Sequence, residues 1–322
     1  MNFENKINQD AVVPLMSVLR NNDDANKKIS GSLISRGYAF VVLPNFLVKE
    51  IDDMLNNINE FFNNKTTQYK NQFFKEPMFG YFAVGHKESF RMITGNRMHE
   101  QKFPDNFGKI QHFGRYMDKI MYLTAKMMEP YIFPNLMYKS QELDIPLLKT
   151  SPLINKIAPR NQPALWGQGK IAPRNQPKEL VLGQTSNWGL FDITKYYNDG
   201  TRKELNCKEH YDPGLLTLSL RSTEPGLQLK DEYGNWVDAP TNKNIAILWT
   251  GKAAVQINPR LKPGMHRVTN CTNKDRIGQP RIAIWYEIST SQQEHKELIR
   301  DKTRKASVYE NYSGIPMSKS LH

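Results

Sequence analysis

His210-Tyr211-Asp212 is the segment of this 322-residue chain whose residue types and spacing could do chemistry. In a strand, positions i and i+2 point to the same face, so the imidazole and the carboxylate can reach one metal ion together. His266, 54 residues after Asp212, opens another strand-like run and offers a second imidazole. Two histidines and a carboxylate on one face of a β-barrel form a facial triad, which suits Fe(II) and leaves three octahedral positions for a co-substrate and O2. A zinc hydrolase more often uses three ligands and one water in a tetrahedron, and the spacing alone leaves zinc open. A pattern this short recurs by chance, so its weight comes from the elements around it.

Those elements are β-rich. After Leu180 short runs follow one another: LFDITKYY (190–197), LLTLSL (215–220), GLQLK (226–230), NWVDAP (235–240), AILWT (246–250), AAVQI (253–257), HRVTN (266–270) and RIAIWYEI (281–288). Gly, Pro, Asn and Asp punctuate them at short intervals, which predicts an antiparallel sandwich or barrel, not βαβ units. Upstream the periodicity is helical. Asp24 to Arg36 reads as a helix ended by Gly37, and YAFVVL (38–43) as a buried strand. Apolar stripes predict further helices over 48–64 and 109–128. The methionines of the last stripe are core filler. Residues 1–149 are thus expected to be a mixed helical region with few strands.

KIAPRNQP stands at 156–163 and again at 170–177. Two copies are too few for a solenoid, and the composition predicts a duplicated surface insert over 150–184, with a lid as the sharper reading. From Ser289 the chain turns polar, so 291–322 reads as a short basic helix and a tail.

Lys and Arg exceed Asp and Glu by 44 to 32, a net +12, and hydrophobic residues make up 39%. Collagen, a disulfide scaffold and wholesale disorder are excluded. The cations are interleaved with acids and no aromatic–basic recognition motif appears, so a nucleic-acid partner is disfavoured. Cys207 and Cys271 cannot staple a chain of this length, which predicts a reducing, cytoplasmic setting. The polar start lacks the apolar core of a signal peptide, and Tyr38 to Val48 is about half the length of a membrane span. His86, His99, His112, His295 and His322 lack ligand spacing. Cys207 reads as an inert buried thiol, and Arg91 and Arg97 as solvated surface charge.

The chain resembles the isopenicillin N synthase-like group of Fe(II)- and 2-oxoglutarate-dependent oxygenases. HYDPGLLTLSL (210–220), GLQLKDEYGNWVDAP (226–240), the Gly251 turn, GMHRVT (264–269) and PRIAIWYE (280–287) carry the resemblance in the family's order, and SLISRGYAFVVLPNFL (32–47) is similar to its opening helix and strand. The resemblance implies a mainly β chain, α+β overall: a double-stranded β-helix (jelly-roll) barrel over 185–290 with an N-terminal helical region. It implies His210, Asp212 and His266 as iron ligands, and Arg281 as the residue that binds the far carboxylate of 2-oxoglutarate, a planar anion that suits a guanidinium fork. It implies Tyr197 as a further contact to that carboxylate, although Tyr196 is adjacent and the alternation can be misphased. The implied activity is oxidation, usually hydroxylation, of a C–H bond in a small organic molecule with O2, and ascorbate as reductant.

Two departures stand out. The family's R-x-S is here Arg281-Ile282-Ala283, which removes a hydroxyl from the co-substrate site. The stretch from His266 to Arg281 is also long, and Arg276 within it ranks below Arg281. The first departure keeps open an isopenicillin N synthase-like or ethylene-forming-like oxidase that does not use 2-oxoglutarate. A nucleic-acid binder and a non-catalytic family member are the readings of other classes.

Overall fold

The computed structural model describes residues 12–75, 79–132, 189–200, 205–270 and 276–288. The expected insert over 150–184, with its repeat, and the expected tail over 291–322 lie outside them.

Two sheets face each other. The larger has eight strands: β1 (Val13–Pro14), β2 (Tyr38–Val42), β3 (Gly80–Val84), β4 (Lys87–Ile93), β5 (Gly189–Tyr196), β7 (Leu216–Ser222), β10 (Ile245–Thr250) and β12 (Arg281–Ile288). Their order across the sheet is β1-β2-β10-β7-β12-β5-β4-β3. The smaller sheet holds β6 (Cys207–His210), β8 (Leu227–Lys230), β9 (Trp236–Asp238) and β11 (His266–Val268), in the order β6-β11-β8-β9. Chain neighbours such as β6 and β7 lie in opposite sheets, so the strands wind as the expected jelly roll. The N-terminal region shares the large sheet: β2 pairs with β10 on one side, and β4 pairs with β5 on the other.

The helices cover the outer face of the large sheet. Asn22 accepts a hydrogen bond from the Ala25 amide at 2.9 Å and so starts the helix Asp23–Ser35. Gly37 follows it at φ +86°, where a Cβ would meet the Lys262 carbonyl at 2.7 Å. The helix Asn45–Asn59 runs into a π turn over Glu60–Asn64, which together match the stripe predicted over 48–64. Phe61 and Phe62 on that turn are buried, and Phe61 packs edge-on against Phe90 and Phe107. The long helix Gly108–Ile132 buries Ile110, Phe113, Met117, Ile120 and Met121 against the sheet, as its stripe predicts.

Two local expectations fail. AAVQI (253–257), read as a strand, is the core of a helix, Lys252–Ile257. An apolar run of five has no diagnostic period, and two alanines favour the helix. Arg91, read as solvated surface charge, stands on β4, which is buried on both faces. On one face Phe90 and Met92 enter the main core; on the other Lys87, Ser89 and Arg91 turn toward the space between the sheets.

Asp118 is the acid of this long helix that packs against the sheet. It accepts hydrogen bonds from Tyr286 at 2.6 Å and Thr94 at 3.3 Å. Burial pushes its carboxyl up from 3.8 to about 6, against the pull of those donors. A raised folded-state value means stability is lost as pH rises from the unfolded value through the folded one. Asp118→Asn, which keeps the acceptor for Tyr286, is expected to melt like the parent near pH 4 and above it at pH 7–8, by up to about 3 kcal/mol at 1.36 kcal/mol per pKa unit. Melting curves across that range check this; an equal pH slope in both proteins contradicts it.

Candidate metal centre

β6 and β11 are neighbours in the small sheet, and His266 pairs directly with His210. Asp212 follows two residues after the end of β6. The three side chains thereby converge: one donor atom from each of His210, Asp212 and His266 lies within 4.8 Å of the others. His210 Nε2 and His266 Nε2 stand 3.8 and 3.7 Å from the same oxygen, Asp212 Oδ1.

The surrounding hydrogen bonds aim these donors. His210 Nδ1 lies 2.8 Å from the Lys208 carbonyl and His266 Nδ1 lies 2.9 Å from the Gly264 carbonyl. A carbonyl only accepts, so each Nδ1 carries the hydrogen and each neutral ring keeps its Nε2 lone pair for a metal. Asp212 Oδ2 accepts from Thr217 Oγ1 and from Trp249 Nε1, both at 2.6 Å. That leaves Oδ1 toward the histidines. Burial, and then the nearby His210, push His266 down to about 4, so its ring is neutral at ordinary pH. Burial pushes Asp212 up, but His266, His210 and its two donors outweigh this and hold it below the usual range. His210 goes the other way: burial pushes it down, but Cys207, Asp212 and the Lys208 carbonyl outweigh this and raise it to about 9, so a metal binding there displaces a proton. Two imidazoles and one ionised carboxylate, with no thiolate among them, fit a divalent iron.

The loop that carries Asp212 is fixed from an unexpected side. Gly251 N–H donates to the Leu215 carbonyl at 3.1 Å, and Lys252 N–H to the Asp212 carbonyl at 2.8 Å. A Cβ on Gly251 would sit 2.1 Å from the Gly214 carbonyl oxygen. Sequence reasoning placed a turn at Gly251 but had no signal for this contact, nor for Thr217 and Trp249 as partners of Asp212.

A cavity opens beside the triad, between the sheets. Arg281 lies on its wall at 2% exposure. Its Nε donates to the Glu224 carbonyl at 3.2 Å, its guanidinium lies 5.2 Å from the centre of the Tyr196 ring, and its buried Nη1 has no hydrogen-bond partner. Arg276, the rival cation, is spent on Glu224 at 2.5 Å at the surface.

Tyr197 is not brought to Arg281; Tyr196 is. Side chains alternate along β5, and the one in register with Arg281 is Tyr196. Tyr197 lines a smaller pocket of about 230 Å³ with His86, Asn198 and Asn206. The phase of the alternation could be settled only by pairing. Arg91 is also corrected: it pairs with Asp192 at 2.5 Å and lines the main cavity. Cys207 is buried as expected, with Sγ 3.8 Å from His210 Nδ1.

Fold and site define an oxygenase-type jelly roll with a facial triad, and the comparisons with known proteins agree. Residues 192–289 match the model of the 2OG-Fe(II) oxygenase superfamily. Gibberellin 2-beta-dioxygenase 3 of Arabidopsis thaliana is 34% identical over 77 residues, which is 24% of this chain and 23% of that protein's length. Among solved structures, a Neurospora crassa protein in complex with alpha-KG and 5-formyluracil superposes with a TM-score of 0.63 at 15% identity, covering 87% of this chain and 84% of its own. The dioxygenase for auxin oxidation 1 of Arabidopsis thaliana, in its 2-oxoglutarate complex, gives 0.57 at 16% identity over 83% and 88%. At such identities the likeness establishes the fold. Among the described residues no helix is long and apolar enough to cross a membrane.

Gly251→Ala pushes a methyl into the loop bearing Asp212 and is expected to weaken Fe(II) binding by about 10- to 100-fold, the usual effect of disturbing a ligand's support. Anaerobic calorimetry with Fe(II) measures it, with circular dichroism to show that the variant is folded; unchanged affinity would contradict the supporting role.

Proposed function

We propose that the protein is a non-haem Fe(II)- and 2-oxoglutarate-dependent dioxygenase that oxidises, in the usual case hydroxylates, a C–H bond of a small organic molecule. His210, Asp212 and His266 hold the iron, and Arg281 holds the far carboxylate of 2-oxoglutarate. Bound Fe(II) supplies the electron chemistry that couples O2 to both substrates: 2-oxoglutarate, O2 and R–H become succinate, CO2 and R–OH.

The observation that carries this reading is the Arg281 guanidinium. A buried cation whose Nη1 lacks a partner, set on the wall of the triad's own cavity, is a costly arrangement without a ligand. A carboxylate satisfies it with a charge-assisted bond. The chain's other contributions are positioning and exclusion of water: Leu227, Val268 and Trp285 line the cavity with apolar surface, and Tyr196, a phenol that burial keeps neutral, flanks Arg281. The free, buried Cys207 beside the candidate iron is in keeping with a reducing, cytoplasmic setting.

Anaerobic protein with Fe(II) is expected to give a visible charge-transfer band on addition of 2-oxoglutarate. With O2 and ascorbate it is expected to release succinate slowly before any substrate is known. His210→Ala should lose the band and the turnover because the metal is lost. Arg281→Leu should keep Fe(II) but bind 2-oxoglutarate about 30-fold more weakly or worse, the cost of removing one partner of a buried charge pair. Fe(II)-loaded parent protein that binds no 2-oxoglutarate would overturn the reading.

A further inference from the structure

Strand pairing sets three rows of side chains across β4, β5 and β12 on the face that looks into the cavity. The first row is Lys87, Tyr196 and Arg281; the second is Ser89, Thr194 and Ala283; the third is Arg91, Asp192 and Trp285. Position 283 therefore offers only a methyl where its two row neighbours carry hydroxyls. Those hydroxyls are buried and 2.7 Å apart, and both residues line the cavity with Ala283 and Arg281.

We propose that Ser89 and Thr194 form the second half of the anion subsite headed by Arg281, with Thr194 donating to the far carboxylate of 2-oxoglutarate. The proposal rests on the dioxygenase reading above and deepens it. A carboxylate has two oxygens and about four acceptor positions, more than one guanidinium edge can fill. Thr194 lies two residues from Tyr196 on the same face and diagonally across from Arg281, a separation that cross-strand neighbours bridge when a ligand sits between them.

The hydrogen count agrees. Two hydroxyls bring two protons, and their mutual bond uses one. The other is directed from Thr194 to Asp192 Oδ1 across 3.3 Å, a long bond to a carboxylate whose other oxygen already accepts from Arg91 Nε at 2.5 Å. Rotation about the Thr194 C–O bond moves that proton to a second carboxylate without shifting a heavy atom, while Ser89 goes on donating to Thr194. The exchange replaces a weak bond by a shorter charge-assisted one. Ala283 faces Thr194 directly in the pairing, so a hydroxyl placed there enters the same space.

The test uses full-length protein loaded anaerobically with Fe(II) and titrated with 2-oxoglutarate by calorimetry and by the charge-transfer band. Thr194→Val keeps the shape and removes the hydroxyl. It is expected to weaken 2-oxoglutarate binding by about 10-fold or more, the scale of a hydrogen bond to a charged group, with Fe(II) affinity unchanged and the fold retained by circular dichroism. Ala283→Ser in the Thr194→Val background is expected to recover most of that loss, and Thr194→Ser to bind like the parent. Parental 2-oxoglutarate affinity in folded, Fe(II)-loaded Thr194→Val overturns the proposal. So does a loss that Ala283→Ser leaves in full, because it would then reflect packing rather than the hydroxyl. Failure of the underlying reading looks different: the parent protein itself would bind no 2-oxoglutarate.

Discussion

Asp212 is held from three directions, and the rest of the site depends on that. Thr217 from β7 and Trp249 from β10 both donate to Oδ2, while the amide of Lys252, at the head of the short helix after β10, donates to the main-chain carbonyl. One oxygen is thereby saturated from the large sheet, and the other is turned toward two histidine rings carried by the small sheet. A carboxylate on a loop would otherwise sample several rotamers, each of which would spread the three donors beyond a common metal. The jelly roll supplies the answer through connectivity: strands that follow one another in the chain lie in opposite sheets, so a ligand at the end of β6 meets its anchors on β7 and β10.

The other end of the cavity works by the same means with different chemistry. β5 and β12 pair over eight residues with an unbroken register, from Arg281 opposite Tyr196 to Ile288 opposite Gly189. The pleat then sorts the side chains. Tyr196, Thr194, Arg281 and Ala283 line the cavity, while Ile193 and Ile284 enter the core packed under the helices. β4 extends this face with Lys87, Ser89 and Arg91 and turns Glu88 the other way, where Lys70 holds it at 2.6 Å. The N-terminal region is thus part of the cavity wall as well as a helical cover. Its cationic side chains at positions 87 and 91 belong to the site's electrostatics.

Much of this was legible in the residues. Strands with clear alternation or a continuous apolar run were found nearly to the residue: RIAIWYEI is β12, and YAFVVL overshoots β2 by one residue. The three triad residues could be singled out by their types and by the β-rich, family-like segments around them; the strand period invoked for His210 and Asp212 does not apply, because β6 ends at His210 and Asp212 stands on the loop after it. Errors arose where local signals are degenerate. AAVQI has no period to read. KESFRMI is buried on both faces, with a charge pair on one side and a cavity on the other, so its polarity imitates a surface. Tyr196 and Tyr197 are chemically identical neighbours, and nothing local says which of them faces inward.

Residue chemistry and short-range periodicity were enough to mark most strands and helices and to offer His210, Asp212 and His266 as possible metal ligands; the resemblance to a known family added Arg281 and its anionic partner. Those properties belong to single residues and to neighbours two to four apart. Pairing partners decided the remainder: that Tyr196 rather than Tyr197 stands beside Arg281, that Thr217 and Trp249 aim Asp212, and that Ser89 and Thr194 lie in line with Ala283. Each is a contact between positions far apart in the chain, made only when register and sheet packing are set, and a one-residue slip in any of these strands would turn the same side chains to the opposite face.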